Sequence, residues 1–129
     1  MKRAASSVLI CLLAVSAAGA AAVDDLAGTW TGTTWVPDQG EDALTLVLTK
    51  TESSYSGTLT DSFGMADKAE LRDVKLENGE LTFFFFLVDG SPIRIALKPE
   101  GDAMTGYWVN DEGDTGEIKL ERQKPPRGR

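Results

Sequence analysis

Twenty acidic residues, no histidine and one cysteine limit the chemistry available to this 129-residue chain. Without histidine there is no Ser-His or Cys-His nucleophile pair and no imidazole to hold a metal. Cys11 lies inside the apolar run Val8–Val15 and has no second cysteine for a disulfide or redox pair. The carboxylates remain. Asn110-Asp111-Glu112-Gly113-Asp114 offers several oxygens to a calcium ion, but not at the EF-hand spacing, and reads as an acidic hairpin turn. Two carboxylates flanking a cleft could hydrolyse a glycoside, yet no pair here is marked by spacing as sharing an apolar cleft. The sequence therefore predicts a protein that is not an enzyme and needs neither cofactor nor metal. A net charge of −7 also argues against gripping nucleic acid or anionic lipid. What stands out instead is aromatic: Phe83-Phe84-Phe85-Phe86, with Phe63-Gly64-Met65 in a separate turn-rich stretch. Such residues hold an apolar partner rather than transform it.

The N-terminal segment is set aside before the fold is read. Lys2 and Arg3 precede the apolar run Val8–Val15, which is too short to span a bilayer core of roughly 30 Å as a helix. Small residues from Ala17 to Ala22 follow, with Ala20 and Ala22, or Ala18 and Ala20, matching the preference around a cleavage site. Residues 1–22 are predicted to be a secretory signal peptide, residues 23–124 a single domain, and residues 125–129 a disordered tail opened by Pro125-Pro126. Loss of Lys2 and Arg3 leaves 11 basic against 20 acidic residues, a net −9. The expected location is secreted or periplasmic, with no membrane span.

From Leu26 onward the chain shows β-rich runs broken by turn residues, a rhythm typical of barrels and sandwiches. The runs are Gly28–Val36, Ala43–Glu52, Tyr55–Asp61, Ala69–Glu77, Leu81–Val88, Ile93–Glu100, Ala103–Val109 and Thr115–Arg122. Asn78-Gly79 is the strongest turn signal, since both residues accept positive φ. Pro37–Asp42 and Ser62–Lys68 are expected to be the longer loops. Alternation assigns the faces: Leu44, Leu46 and Leu48 lie on one side, and Ile93, Ile95 and Leu97 oppose Arg94, Ala96 and Lys98. In the fourth run, Leu71 and Val74-x-Leu76 differ in parity, which predicts a bulge near Asp73. An even number of strands lets the first and eighth meet antiparallel. The expected fold is all-β, an antiparallel eight-stranded up-and-down β-barrel, with a two-sheet sandwich as the alternative. Charged outer faces such as Glu117-x-Lys119-x-Glu121 are wrong for a barrel embedded in lipid.

Gly28-Thr29-Trp30, after an acidic stretch, resembles the G-x-W that opens the first strand of lipocalins and their calycin relatives. The resemblance implies that Trp30 closes one end of the barrel and packs against a basic residue of the final strand, here Arg122, which shares the face of Ile118 and Leu120. There is no room for the large first loop or terminal helix of full-size lipocalins, so the chain looks more like compact secreted bacterial lipocalin-like domains. It also resembles, more distantly, small periplasmic barrel inhibitors of metalloproteases, which open with similar Ala-Gly-x-Trp segments. It lacks their disulfide.

A barrel of this size is filled by side chains or holds one small ligand. If hollow, it is expected to open beneath Phe63 and Met65, with Phe83, Phe85 and Trp108 lining the site for a small apolar ligand. Phe84 and Phe86 then face outward and form a candidate protein interface, self-association included, unless the stems of Arg94 and Lys98 shield them.

Overall fold

The computed structural model describes residues 25–124; the expected signal peptide, the expected tail, and Val23 and Asp24 at the start of the expected domain lie outside them. The described chain is one antiparallel sheet of nine strands with no helix. In chain order they are β1 (Gly28–Val36), β2 (Gly40–Lys50), β3 (Tyr55–Asp61), β4 (Ala69–Glu70), β5 (Arg72–Glu77), β6 (Glu80–Phe86), β7 (Pro92–Glu100), β8 (Ala103–Asn110) and β9 (Thr115–Arg122). The order across the sheet is β4-β3-β2-β1-β9-β8-β7-β6-β5. Each strand pairs with its chain neighbour, except that β1 also pairs with β9 and β4 does not pair with β5. The result is an up-and-down barrel, nearly closed.

The count is nine rather than eight because the fourth run changes partners midway. Ala69–Glu70 pairs with β3, and Arg72–Glu77 pairs with β6. Between them Leu71 turns its side chain into the core while its N–H donates to the Gly57 carbonyl at 3.0 Å. Asp73 takes φ +56°, and the register slips between Arg72 and Lys75, which is the bulge that the parity change pointed to. Among the described residues, the break in the ladders between β4 and β5 is thus crossed by the chain itself. Further bonds cross the same seam: Ser54 Oγ donates to the Val74 carbonyl at 2.8 Å, and Val88 N–H to the Met65 carbonyl at 2.8 Å.

A second correction concerns the loop expected at Pro37–Asp42. The turn spans only Pro37–Gln39, closed by Gln39 N–H on the Val36 carbonyl at 3.0 Å, with Asp38 and Gly40 both at positive φ. Strand β2 therefore begins at Gly40, and Asp42 continues the inward row of Leu44, Leu46 and Leu48. At the opposite end of the barrel, Asn78 and Gly79 adopt φ +56° and +78°, the backbone a two-residue hairpin requires.

Inward side chains fill the half of the barrel around Trp30. Trp30, Leu46, Leu81, Leu97, Met104 and Leu120 are fully or almost fully buried there. Fitting a closed sheet around so few strands demands sharp coiling, and inward-facing glycines permit it. A Cβ on Gly32 would stand 1.8 Å from the Lys119 carbonyl oxygen, and one on Gly106 1.8 Å from that of Ala96. Neighbouring backbones come closer at those points than any side chain tolerates.

Trp30 seals this end. Its indole N–H donates to the Leu26 carbonyl at 3.0 Å, and the Arg122 guanidinium carbon lies 4.5 Å from the ring centroid. Arg122 is held in turn by three acceptors: Nη1 donates to the Ala27 carbonyl at 3.0 Å, Nη2 to that of Asp25 at 3.1 Å, and Nε to Asp102 Oδ1 at 3.0 Å. One side chain therefore joins the entering segment, β1, β9 and the β7–β8 turn. Asp102 is largely exposed, so its ion pair contributes little. Arg122→Ala should cost about 2–4 kcal/mol in urea unfolding, from the lost cation–π contact and the orphaned carbonyls. Asp102→Ala should cost less than about 1 kcal/mol. Equal losses from the two variants would contradict this account.

Candidate functional site

The other end of the barrel is not filled. The β1–β2 turn, the 62–68 loop, the β6–β7 turn and the β8–β9 turn surround a cavity of about 290 Å³ there. Its wall is hydrocarbon from five strands: Leu44, Leu59, Phe85, Ile93, Ile95 and Ile118. The period of two sends these residues inward while their neighbours face solvent. Met65, Ala66 and Leu87 border the same space, where the 62–68 loop is tied to Val88.

Trp108 forms one side of the cavity, and its position depends on two other residues. Its indole N–H donates to Thr34 Oγ1 at 2.9 Å, and the Thr34 hydroxyl donates to the Glu117 carbonyl. Gly116 stands opposite Trp108 in the ladder, and a Cβ there would lie 2.5 Å from Trp108 Nε1. The missing side chain makes room for the indole.

Two acids share this end of the interior. Asp42 is only 2% exposed and Asp61 only 9%. Leu44 is opposite Asp61 in the β2–β3 ladder, so Asp42, two residues along, is its diagonal neighbour on the inward face. Asp42 Oδ1 accepts from Ser62 N–H at 2.9 Å and from the Ser62 hydroxyl at 2.7 Å. Asp61 Oδ1 accepts from Ala66 N–H at 2.9 Å, which fixes the start of the loop. Its Oδ2 is buried without a hydrogen-bond partner. Burial, followed by the hydrogen bond and charge of Asp61, pushes the Asp42 carboxyl above its ordinary 3.8, against the opposing pull of Ser62. When protonated, Asp42 can supply the donor that Asp61 Oδ2 otherwise lacks.

Of the residues expected to line a ligand site, Met65, Phe85 and Trp108 meet at the cavity. Phe83 and Phe63 are not among its lining residues. Phe83 lies two positions further from the mouth, about 7 Å deeper, and belongs to the packed core. Phe63 is 38% exposed beside Gly64 at the loop tip. Phe84 and Phe86 do face outward, edge to face at 5.7 Å. Arg94 sits 5.8 Å above Phe84 and Arg72 sits 5.3 Å above Phe86, so the cap comes from β5 and β7 rather than from Lys98. Asp42, Asp61 and Thr34 were missed as interior groups. The signal was present, since Asp42 extends the parity of Leu44 and Asp61 that of Leu59. No pair of carboxylates is marked by spacing in the sequence, yet Asp42 and Asp61 line one largely apolar cavity. Among the described residues, no group of three or more acidic, histidine or cysteine side chains is arranged to hold a metal ion.

Because folding raises the Asp42 carboxyl above 3.8, the folded chain holds that proton more tightly than the unfolded one. The associated stability is complete below the ordinary value and is lost as pH rises through the raised one. Asp42→Asn, which keeps an acceptor for Ser62 and adds a permanent donor toward Asp61, should stabilise the protein by about 1–2 kcal/mol near pH 8. The gain should shrink toward about pH 4 in thermal melts. A variant equally or less stable near pH 8 would contradict the cost assigned to an ionised Asp42 beside Asp61.

No family model matches the chain, and no curated protein matches it. Among solved structures it is similar to a de novo designed fluorescence-activating β-barrel, at 18% identity and a TM-score of 0.56. The match covers 76% of this chain and 94% of the design. At that identity the likeness establishes a shared barrel fold.

Proposed function

We propose that this protein is an exported, lipocalin-like binding protein that holds one small apolar ligand at the open end of its barrel and acts by binding rather than catalysis. The observation that carries the reading is the division of the interior, packed solid beside Trp30 and hollow between Met65, Phe85 and Trp108. A folded chain gives up core packing at a cavity, so an unfilled end is a cost to stability. A ligand of matching shape recovers those contacts. At about 290 Å³ the space is at the lower limit of small-molecule sites, roughly 300–1,000 Å³. This favours a compact molecule over a long-chain lipid. The basic, apolar and small-residue pattern of residues 1–22 supports export, and the lack of histidine and of a second cysteine supports a non-catalytic role.

Trp30 lies at the packed end and Trp108 in the cavity wall, with the exposed Trp35 as a third indole, so one spectrum tests the reading. On titration with a small aromatic hydrocarbon such as indane, the Trp108 indole resonance should shift saturably with one-to-one stoichiometry. That of Trp30 should stay in place. No saturable shift at Trp108, or equal shifts at both, would count against the site.

A second reading is a protein-interaction or hydrolase-inhibitor module. It is favoured by the outer groove over Ala96, bordered by Phe84 and the half-exposed Tyr107, with Phe86 exposed at its side. If this face joins two copies, replacing Phe84 and Phe86 with serine should halve the mass measured in solution. An unchanged monomer before and after would remove self-association from this reading.

A further inference from the structure

The cavity has hydrocarbon walls, but its polar edge carries one sign of charge. The ionisable groups lining it are Asp42 from β2, Asp61 from β3, Asp38 from the β1–β2 turn and Asp114 from the β8–β9 turn. Among the described residues no lysine or arginine lines it. Asp61 spends Oδ1 on Ala66 N–H and leaves Oδ2 buried with no donor, an expensive state for a carboxylate oxygen. With Asp42 and Asp61 both ionised at diagonal positions, like charges face each other away from water. A proton on Asp42 relieves that state. An ammonium group relieves it more fully, because it brings three N–H donors and a full positive charge to a site of low dielectric.

We propose that the cavity's ligand is a small primary amine, its apolar body lying among Leu59, Phe85, Ile95 and Ile118 and its ammonium group seated between Asp42 and Asp61. The inference rests on the cavity reading given above and narrows it to a class of ligand. The ammonium donates to both carboxylates, and where Asp42 is protonated that proton leaves to solvent as the amine binds. A bare metal ion fits less well: calcium takes six to eight oxygens, and the cavity wall around the two acids is hydrocarbon. A carboxylate or phosphate ligand would be repelled by all four aspartates.

Calorimetric titration near neutral pH with phenethylamine, phenethyl alcohol and phenylacetate tests this, because the three probes have similar apolar bodies and differ in their polar heads. The amine should bind about tenfold more tightly than the alcohol, and phenylacetate should bind weakest. Asp61→Asn retains an acceptor for Ala66 N–H but removes the charge. It should abolish the amine's advantage while leaving the alcohol's affinity within about threefold, which also shows that the variant is folded. Equal binding of amine and alcohol, or an amine preference that survives Asp61→Asn, overturns the amine assignment and leaves the cavity reading in place. Failure of all three probes to bind overturns both.

Discussion

The pairing of β1 with β9 is the constraint on which the rest depends. Once Trp30 is opposite Arg122 and Thr34 opposite Ile118, the sheet must curve back on itself and enclose a lumen of fixed width. That width is just enough for inward side chains to meet, so the character of the interior at each level depends on which residues the parity of the strands delivers there. At the Trp30 level it delivers large hydrocarbon groups, and the lumen is solid. At the Thr34 level it delivers Thr34, Asp42 and Asp61 among Phe85, Trp108 and aliphatic groups, and the lumen stays open. The latch and the cavity are thus two consequences of one closure.

The two ends also differ in how their polar groups are satisfied. Around Trp30, the bonds of Arg122 run to two carbonyls and one carboxylate, while Leu26 N–H finds the Tyr55 hydroxyl at 3.0 Å. Around the cavity, Asp61 retains an oxygen without a donor. Buried polar groups left in that condition are uncommon in native proteins. The acids carry a second task, since Asp42 holds Ser62 and Asp61 holds Ala66, and the loop between them borders the mouth. A ligand head group that reached the acids would therefore act on the loop as well.

Most of the barrel was legible in the sequence because period-two alternation and turn chemistry are local. The inward rows of β2, β7 and β9, the bulge at Asp73 and the Asn78-Gly79 hairpin all follow from residue types a few positions apart. The pairing of Trp30 with Arg122 was reached through resemblance and parity together. What stayed hidden was set by long-range geometry. The change of partners at Leu71 depends on where β3 and β6 lie, not on anything in Ala69–Glu77 itself. Asp42 was read as loop because Pro37, Asp38, Gln39 and Gly40 are all turn residues, and nothing local says that three of them suffice. Whether Phe83 or only Phe85 meets the cavity depends on depth, which parity does not encode. The acid pair was missed for a related reason: the β2–β3 register brings Asp42 and Asp61 together across 19 residues of chain.

Uptake of an apolar guest at the open end of the barrel can be read by diffraction from crystals pressurised with xenon, which enters apolar cavities without needing polar partners. Xenon density should appear bounded by Leu59, Phe85, Ile95 and Ile118, with none in the packed half around Trp30, Leu46 and Met104. Crystals that take up no xenon inside the barrel, or in which side chains of the 62–68 loop have folded in to fill the space, would contradict a binding site at that end.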